Sequence, residues 1–272
     1  MMLEPDTLVY PAHGAGSLCG KSLSPDLHST IGRELNTNYA LQPMDEPSFI
    51  KTLLADQPFM PKYFGYNVEL NKNGAPNLQE SLDKVARLPE GTIIEAGAIV
   101  IDIRPEETFK ASHLKGSWNI QEGGKFETWV GSIVAPHKSF YLVGDSSEQL
   151  ETALYKLSKI GYESFVIGLI VNPSGEKVSL SKISIPDFEA KKSELQIIDV
   201  RNHGEYKDKV IFPEAKHIPL PELLDKAGEI DGSKPIVVHC AAGYRSAAAQ
   251  SILKSLNSEL EIYDISDEIK KY

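Results

Sequence analysis

The chain has 272 residues and two cysteines, Cys19 and Cys240. Cys240 stands in a setting that suits chemistry, Pro235-Ile-Val-Val-His-Cys-Ala-Ala-Gly-Tyr-Arg-Ser246. Ile236, Val237 and Val238 form a short β-branched run that predicts a buried strand. From Ser246 good helix formers follow, with apolar residues at Ala248, Ala249, Ile252, Leu253 and Leu256. Cys240 is therefore expected in a tight turn between a strand and a helix. Such a turn aims backbone N–H groups and the helix dipole at one point and favours an anion there; the thiolate is the reactive form of the group. Arg245 adds a fixed positive charge close by, and Gly243 allows a turn that a side chain would crowd. The competing reading is a buried core cysteine, but strand, Cys, small residues, Gly, Arg and helix occur together here. His239 is a poor candidate for the base of Cys240, because neighbouring strand residues point to opposite faces.

Loop length separates two enzyme classes. His239-Cys240-x4-Arg245-Ser246 is one residue shorter than the His-Cys-x5-Arg-Ser/Thr loop of the cysteine phosphatases, which surrounds a tetrahedral phosphate. The Cys-x-x-Gly-x-Arg form resembles the active-site loop of the rhodaneses, sulfurtransferases in which a smaller ring cradles the outer sulfur of a cysteine persulfide. That resemblance implies Cys240 as nucleophile, with Ala241, Ala242, Gly243, Tyr244, Arg245 and Ser246 binding the substrate sulfur. It implies small sulfur donors and acceptors as partners: thiosulfate or a persulfide as donor; cyanide, sulfite or a thiol as acceptor. No cofactor and no metal are expected. Two alternatives stay open, a phosphatase or arsenate-type enzyme on the same fold and a non-enzymatic sulfur-carrier or docking module.

The elements that would hold this loop occur twice. Ala98-Ile-Val-Ile-Asp102-Ile-Arg104 echoes Leu195-Gln-Ile-Ile-Asp199-Val-Arg201, and Phe140-Tyr-Leu-Val143 echoes Ile236-Val-Val-His239. Apolar strands alternate with helical patterns in both halves, which predicts an α/β fold with parallel sheets flanked by helices. Laying one copy on the other puts Gly144 at the place of Cys240, Ser147 at Gly243 and Gln149 at Arg245. The first copy is thus expected to be catalytically silent, although Ser112-His113-Leu114-Lys-Gly116-Ser-Trp-Asn-Ile120 is similar to rhodanese wording. In the second copy Val210-Ile211-Phe212 stands where the family has Gly-His-Ile, so that turn is expected to differ. Asp199, Arg201 and Glu205 read as structural, a buried carboxylate and a local ion pair.

Ahead of the repeat, Thr7 to Tyr10 reads as a strand, Ser29 to Leu41 as helical, and Asp45 as the cap of a helix with Phe49, Ile50, Leu53 and Leu54 on one face. Pro58, Pro61 and the Asn-rich 67–77 stretch read as an exit and linker. Tyr10-Pro-Ala-His-Gly-Ala-Gly-Ser-Leu-Cys-Gly20, Ser29-Thr-Ile-Gly32 and Pro61-Lys-Tyr-Phe64 resemble the C-terminal end of a metallo-β-lactamase-fold persulfide dioxygenase. The metal-bearing His-x-His-x-Asp-His motif of that fold does not occur, so His13 is expected to be a loop histidine. The expected organisation is a truncated metallo-β-lactamase-like piece at 1–75, a rhodanese-like copy at 80–174 and an active copy at 177–272. This order resembles persulfide dioxygenase and sulfurtransferase fusion proteins of bacteria. The front piece is expected to dock on the first copy or to self-associate. A net charge of −10 without clustered Lys and Arg argues against nucleic-acid and anionic-membrane partners. Without a signal peptide, a long apolar run or a Cys-x-x-Cys, a cytoplasmic location is expected.

Overall fold

The computed structural model describes residues 3–11, 26–55 and 59–272; His13 and Cys19 lie outside them. Two compact units divide at Gln57 and Pro58. In the first, Leu8–Val9 pairs antiparallel with Ser29–Thr30. Ser29 and Thr30 are extended rather than helical. The Thr30 side chain accepts from the Arg33 N–H and caps the helix Ile31–Thr37, a use that holds the hydroxyl residue out of the helix it starts. Asp45 caps Glu46–Leu54 through the Ser48 N–H, with Pro47 in the first turn, as the sequence predicts. Along this helix Ile50 is 46% and Leu54 67% exposed.

The second unit holds the repeat. β1 (Ala86–Leu88), β2 (Ile99–Asp102), β3 (Trp118–Asn119), β4 (Phe140–Gly144) and β5 (Val166–Val171) make a parallel sheet in the order β1-β5-β4-β2-β3. β6 (Ser181–Lys182), β7 (Gln196–Asp199), β8 (Lys216–His217), β9 (Ile236–His239) and β10 (Ile262–Asp264) make another in the same permutation, β6-β10-β9-β7-β8. Asp102 lies opposite Val143, and Asp199 opposite His239, so the alignment of the two halves holds residue by residue. Central strands such as β9 are buried along their whole length, which is why they read as continuous apolar runs.

Of the Asn-rich 67–77 stretch expected to be a linker, the part up to Asn73 belongs to the helix Tyr63–Asn73. Its propensity is poor, but its aromatic residues find partners: Tyr66 meets Tyr162 and Phe165, and Tyr63 meets Tyr162. Packing overrides propensity in such cases. Gly131 permits the close approach, since a Cβ there would lie 2.4 Å from the Tyr63 ring.

One apolar core runs through both copies, from Leu142, Leu154 and Tyr162 to Val238, Ala248 and Ile252. At the seam the helix Tyr244–Leu256 covers the edge strand β3. The Asn119 N–H donates to Ser251 Oγ at 2.8 Å, and the Trp118 indole to Ser255 Oγ at 2.7 Å. An edge strand is thereby closed to other partners. Leu256, predicted for the apolar face, is exposed at the end of this helix.

Candidate active site

After β9 the chain turns through Ala241 and Ala242 to Gly243, and the helix Tyr244–Leu256 begins. Gly243 has φ 102°, a conformation that costs an L-residue. A Cβ there would also lie 2.8 Å from Glu106 Oε1 of the first copy. Cys240 is 1% exposed. Of the amides expected around it, from Ala241 to Ser246, that of Gly243 donates to Sγ at 3.2 Å. Ser246 Oγ lies 3.5 Å from the sulfur and donates to the Gly243 carbonyl at 2.9 Å.

Arg245 interacts with the Cys240 sulfur but is not a free charge there. Its guanidinium makes a two-point contact with Glu205, at 2.5 and 2.7 Å. That hydrogen bonding holds the Glu205 carboxyl below the usual carboxylate range. Glu205 also accepts from the Asn202 N–H and closes a capping box on His203–Asp208. The local ion pair expected among Asp199, Arg201 and Glu205 is therefore two pairs, Asp199 with Arg201 and Glu205 with Arg245. Burial pushes the Asp199 carboxyl up, and the Arg201 hydrogen bonds outweigh it and hold it low.

His239 is buried, its ring 5.0 Å from Phe212 and its Nε2 3.8 Å from Asp199. Neither ring nitrogen has a hydrogen-bond partner, and burial pushes its pKa down to about 4. It is a neutral core residue at ordinary pH. Phe212, from the stretch expected to differ, fills a second small core with Phe188 and Ile265.

A cleft of about 280 Å³ opens over the cysteine. The loop contributes Cys240, Ala241, Ala242, Tyr244 and Arg245, while Gly243 and Ser246 are buried behind it. Asn202 and Glu205 form one wall. Another comes from the first copy, Lys125 and Trp129, with the Arg245 guanidinium 5.7 Å over the Trp129 ring. The Tyr244 hydroxyl donates to the Gln121 carbonyl at 2.8 Å. Sequence reasoning missed Lys125 and Trp129. Nothing in their local pattern marks them; they stand in an ordinary helix start and reach the cleft through the seam between copies.

The first copy also braces the loop from behind. Lys110, buried, donates to Asp264 at 2.6 Å and to Glu106 at 2.7 Å. Glu106 accepts from Ser266 Oγ at 2.9 Å, and Asp264 from the Ser266 N–H at 2.7 Å. Burial works against the Lys110 charge, and the Asp264 carboxylate outweighs it.

At the matching place in the first copy stands Gly144. Gln149 folds back, its Oε1 accepting from the Asp145 N–H at 3.3 Å, and Ser146 caps the helix Ser147–Ser158. A smaller cavity, about 120 Å³, is lined there by Arg104, Asp145 and Lys177 among others. Cations are thus present, though not at the aligned position of Arg245. Among the described residues no group of three or more His, Cys, Asp or Glu could hold a metal, and no helix is long and apolar enough to cross a membrane.

Comparison with known proteins gives the same repeat. The rhodanese-like domain model matches residues 86–169 and again 186–271. An uncharacterized protein of Bacillus subtilis, YqhL, is 29% identical over 111 residues, 41% of this chain and 86% of that protein. Among solved structures, a metallo-beta-lactamase from Staphylococcus aureus has a TM-score of 0.44 at 28% identity, covering 61% of this chain; the chain spans 45% of its length. A thiosulfate sulfurtransferase from Pseudomonas aeruginosa has a TM-score of 0.29 at 14% identity, covering 70% of this chain and 40% of its own. With both halves of the repeat matched by the domain model, the chain belongs to the rhodanese-like family, a sulfurtransferase-type family, and carries its domain in tandem.

Proposed function

We propose that the chain moves sulfane sulfur from thiosulfate or a small persulfide to a thiophilic acceptor through a persulfide on Cys240. The observation that carries this reading is the Gly243 amide donating to Cys240 Sγ at 3.2 Å beneath an open cleft. A nucleophile in a short strand-to-helix turn has an amide in place for negative charge on sulfur. In the first step the Cys240 thiolate attacks the outer sulfur of thiosulfate. The bond between the two thiosulfate sulfurs breaks, and sulfite leaves with its electron pair. Cys240 then carries a terminal S⁻. In the second step the carbon of cyanide attacks that outer sulfur, the new S–S bond breaks, thiocyanate leaves and the thiolate returns. A persulfide donor follows the same course and releases its thiolate. No cofactor enters. Gly144 offers no nucleophile, so the first copy is assigned no turnover of its own. The compartment that suits a catalytic thiol is a reducing one, such as the cytoplasm. The metallo-β-lactamase-like character of the N-terminal piece rests on its sequence resemblance.

The test is intact mass after exposure to thiosulfate, with p-nitrophenyl phosphate assayed beside it. The expected result is one added sulfur, about 32 Da, removed by cyanide and absent in Cys240→Ser. Phosphate release without a sulfur adduct, or thiosulfate:cyanide turnover by Cys240→Ser, overturns the reading.

A further inference from the structure

The cleft over Cys240 contains two cations, and they come from different copies. Arg245 is already matched by Glu205 through two hydrogen bonds. Lys125 is exposed at the rim and has no ion pair or side-chain hydrogen bond among the described residues. The carboxylates nearest it in sequence are engaged elsewhere, Glu122 with Lys156 and Glu127 with Lys159 at 3.7 Å. Arg245 is shared between Glu205 and Cys240, so Lys125 is the cation of the cleft without a partner among the described residues.

The chemistry requires such a charge at the mouth. A thiolate repels an anionic donor, and the repulsion is strong where water is partly excluded. In an in-line displacement at sulfur the leaving group lies opposite the nucleophile. Cys240 is almost fully buried at the floor, so the leaving group points outward, to the rim where Lys125 stands. That group also collects the electron pair as the bond breaks.

We propose that Lys125, a residue of the first copy, recognises the anionic leaving group of the donor and sets the preference of the Cys240 site for small sulfur donors charged at that end. Trp129 gives the same donor a flat apolar wall, while Arg245, held by Glu205, positions the loop. The assignment rests on Cys240 being the nucleophile of the proposed transfer.

The test separates the two ideas by using probes that need no sulfur transfer. Alkylation of Cys240 is followed with iodoacetate, an anion, and iodoacetamide, its neutral counterpart, in wild type, Lys125→Gln and Lys125→Arg. Any change in the thiol itself affects both reagents and cancels in the ratio of rates. The expected result is a ratio lowered by roughly 3- to 10-fold in Lys125→Gln at low salt, restored in Lys125→Arg, and converging with wild type at high salt. In turnover, the KM for thiosulfate rises in Lys125→Gln more than kcat falls. A ratio unchanged within about twofold at low salt overturns the assignment even if the persulfide forms. A lowered ratio without a persulfide leaves the anion subsite standing and removes the sulfur-transfer reading.

Discussion

The two copies are built on the same sheet in the same register, yet they spend the end of the fourth strand differently. In the first, Gly144 leads into a helix capped by an ordinary serine, and Gln149 closes the loop on itself. In the second, Cys240 leads into a glycine at φ 102°, and the loop's contacts run outward to Glu205, Glu106 and Trp129. The difference teaches that one scaffold tolerates both ends, and that the cysteine-bearing one draws its contacts from its neighbour. Asp102 with Arg104, and Asp199 with Arg201, are the same internal pair in both; what has been added is the cross-copy brace through Lys110.

Breaking that brace should have the largest effect on stability. Lys110→Met leaves the buried Asp264 and Glu106 without their cation, a loss of about 3–5 kcal/mol. In a unit of this size that lowers the Tm by roughly 10 °C, and the proposed sulfur transfer should fall although Lys110 does not line the cleft. Arg87→Ala in the first copy removes an exposed pair with Glu151 and hydrogen bonds to the Leu82 and Val85 carbonyls and should cost less, about 1–2 kcal/mol. Equal losses in thermal denaturation would erase the distinction.

A smaller effect separates His239 from Val143, its counterpart. Burial holds His239 near pKa 4, against an ordinary value of 6.5, so the unfolded chain binds more protons between those values. The contribution is complete above about pH 6.5 and is lost as pH falls toward 4, about 3 kcal/mol in all. Asp199 faces it from β7 and Arg201 lies beyond. Denaturant titrations from pH 7 to 4 should show a shallower acid loss in His239→Phe than in wild type. An unchanged slope would show that acid sensitivity lies with other groups.

Smallest is the contrast between the glycines at the loop. Gly243→Ala meets both the positive φ and the Glu106 carboxylate and should cost more than about 1 kcal/mol. Gly144→Ala meets only flexible side chains, at 3.2 Å from Gln149, Ile103 and Leu150, and should cost less. Comparable values in urea denaturation would contradict the strain assigned to the Cys240 loop.

Much of the repeat was legible because its strands are continuous apolar runs and because Asp-x-Arg marks the same strand end twice. Cys240 and its turn were legible for a similar reason: all the parts lie within twelve consecutive residues. What sequence could not show is whatever depends on the seam. Lys125 and Trp129 look like any helix start, and Glu205 reads as a local partner of Arg201 until the fold brings Arg245 to it from 40 residues away. The helix Tyr63–Asn73 was hidden in another way, since its Asn and Gly content signals a linker and only Tyr162 and Phe165 make it worth forming.

The helix laid over β3 has a consequence for the order of events on the ribosome. Asn119 and its cover Ser251 are 132 residues apart. The first sheet is finished by β5 at Val171, roughly 80 residues before Ser251, so at about 5–20 residues per second its edge waits roughly 4 to 16 s for its lid. For that interval the nascent chain presents an unpaired strand edge bearing Trp118, and the second copy, arriving late, finishes its own fold by ending the exposure of the first.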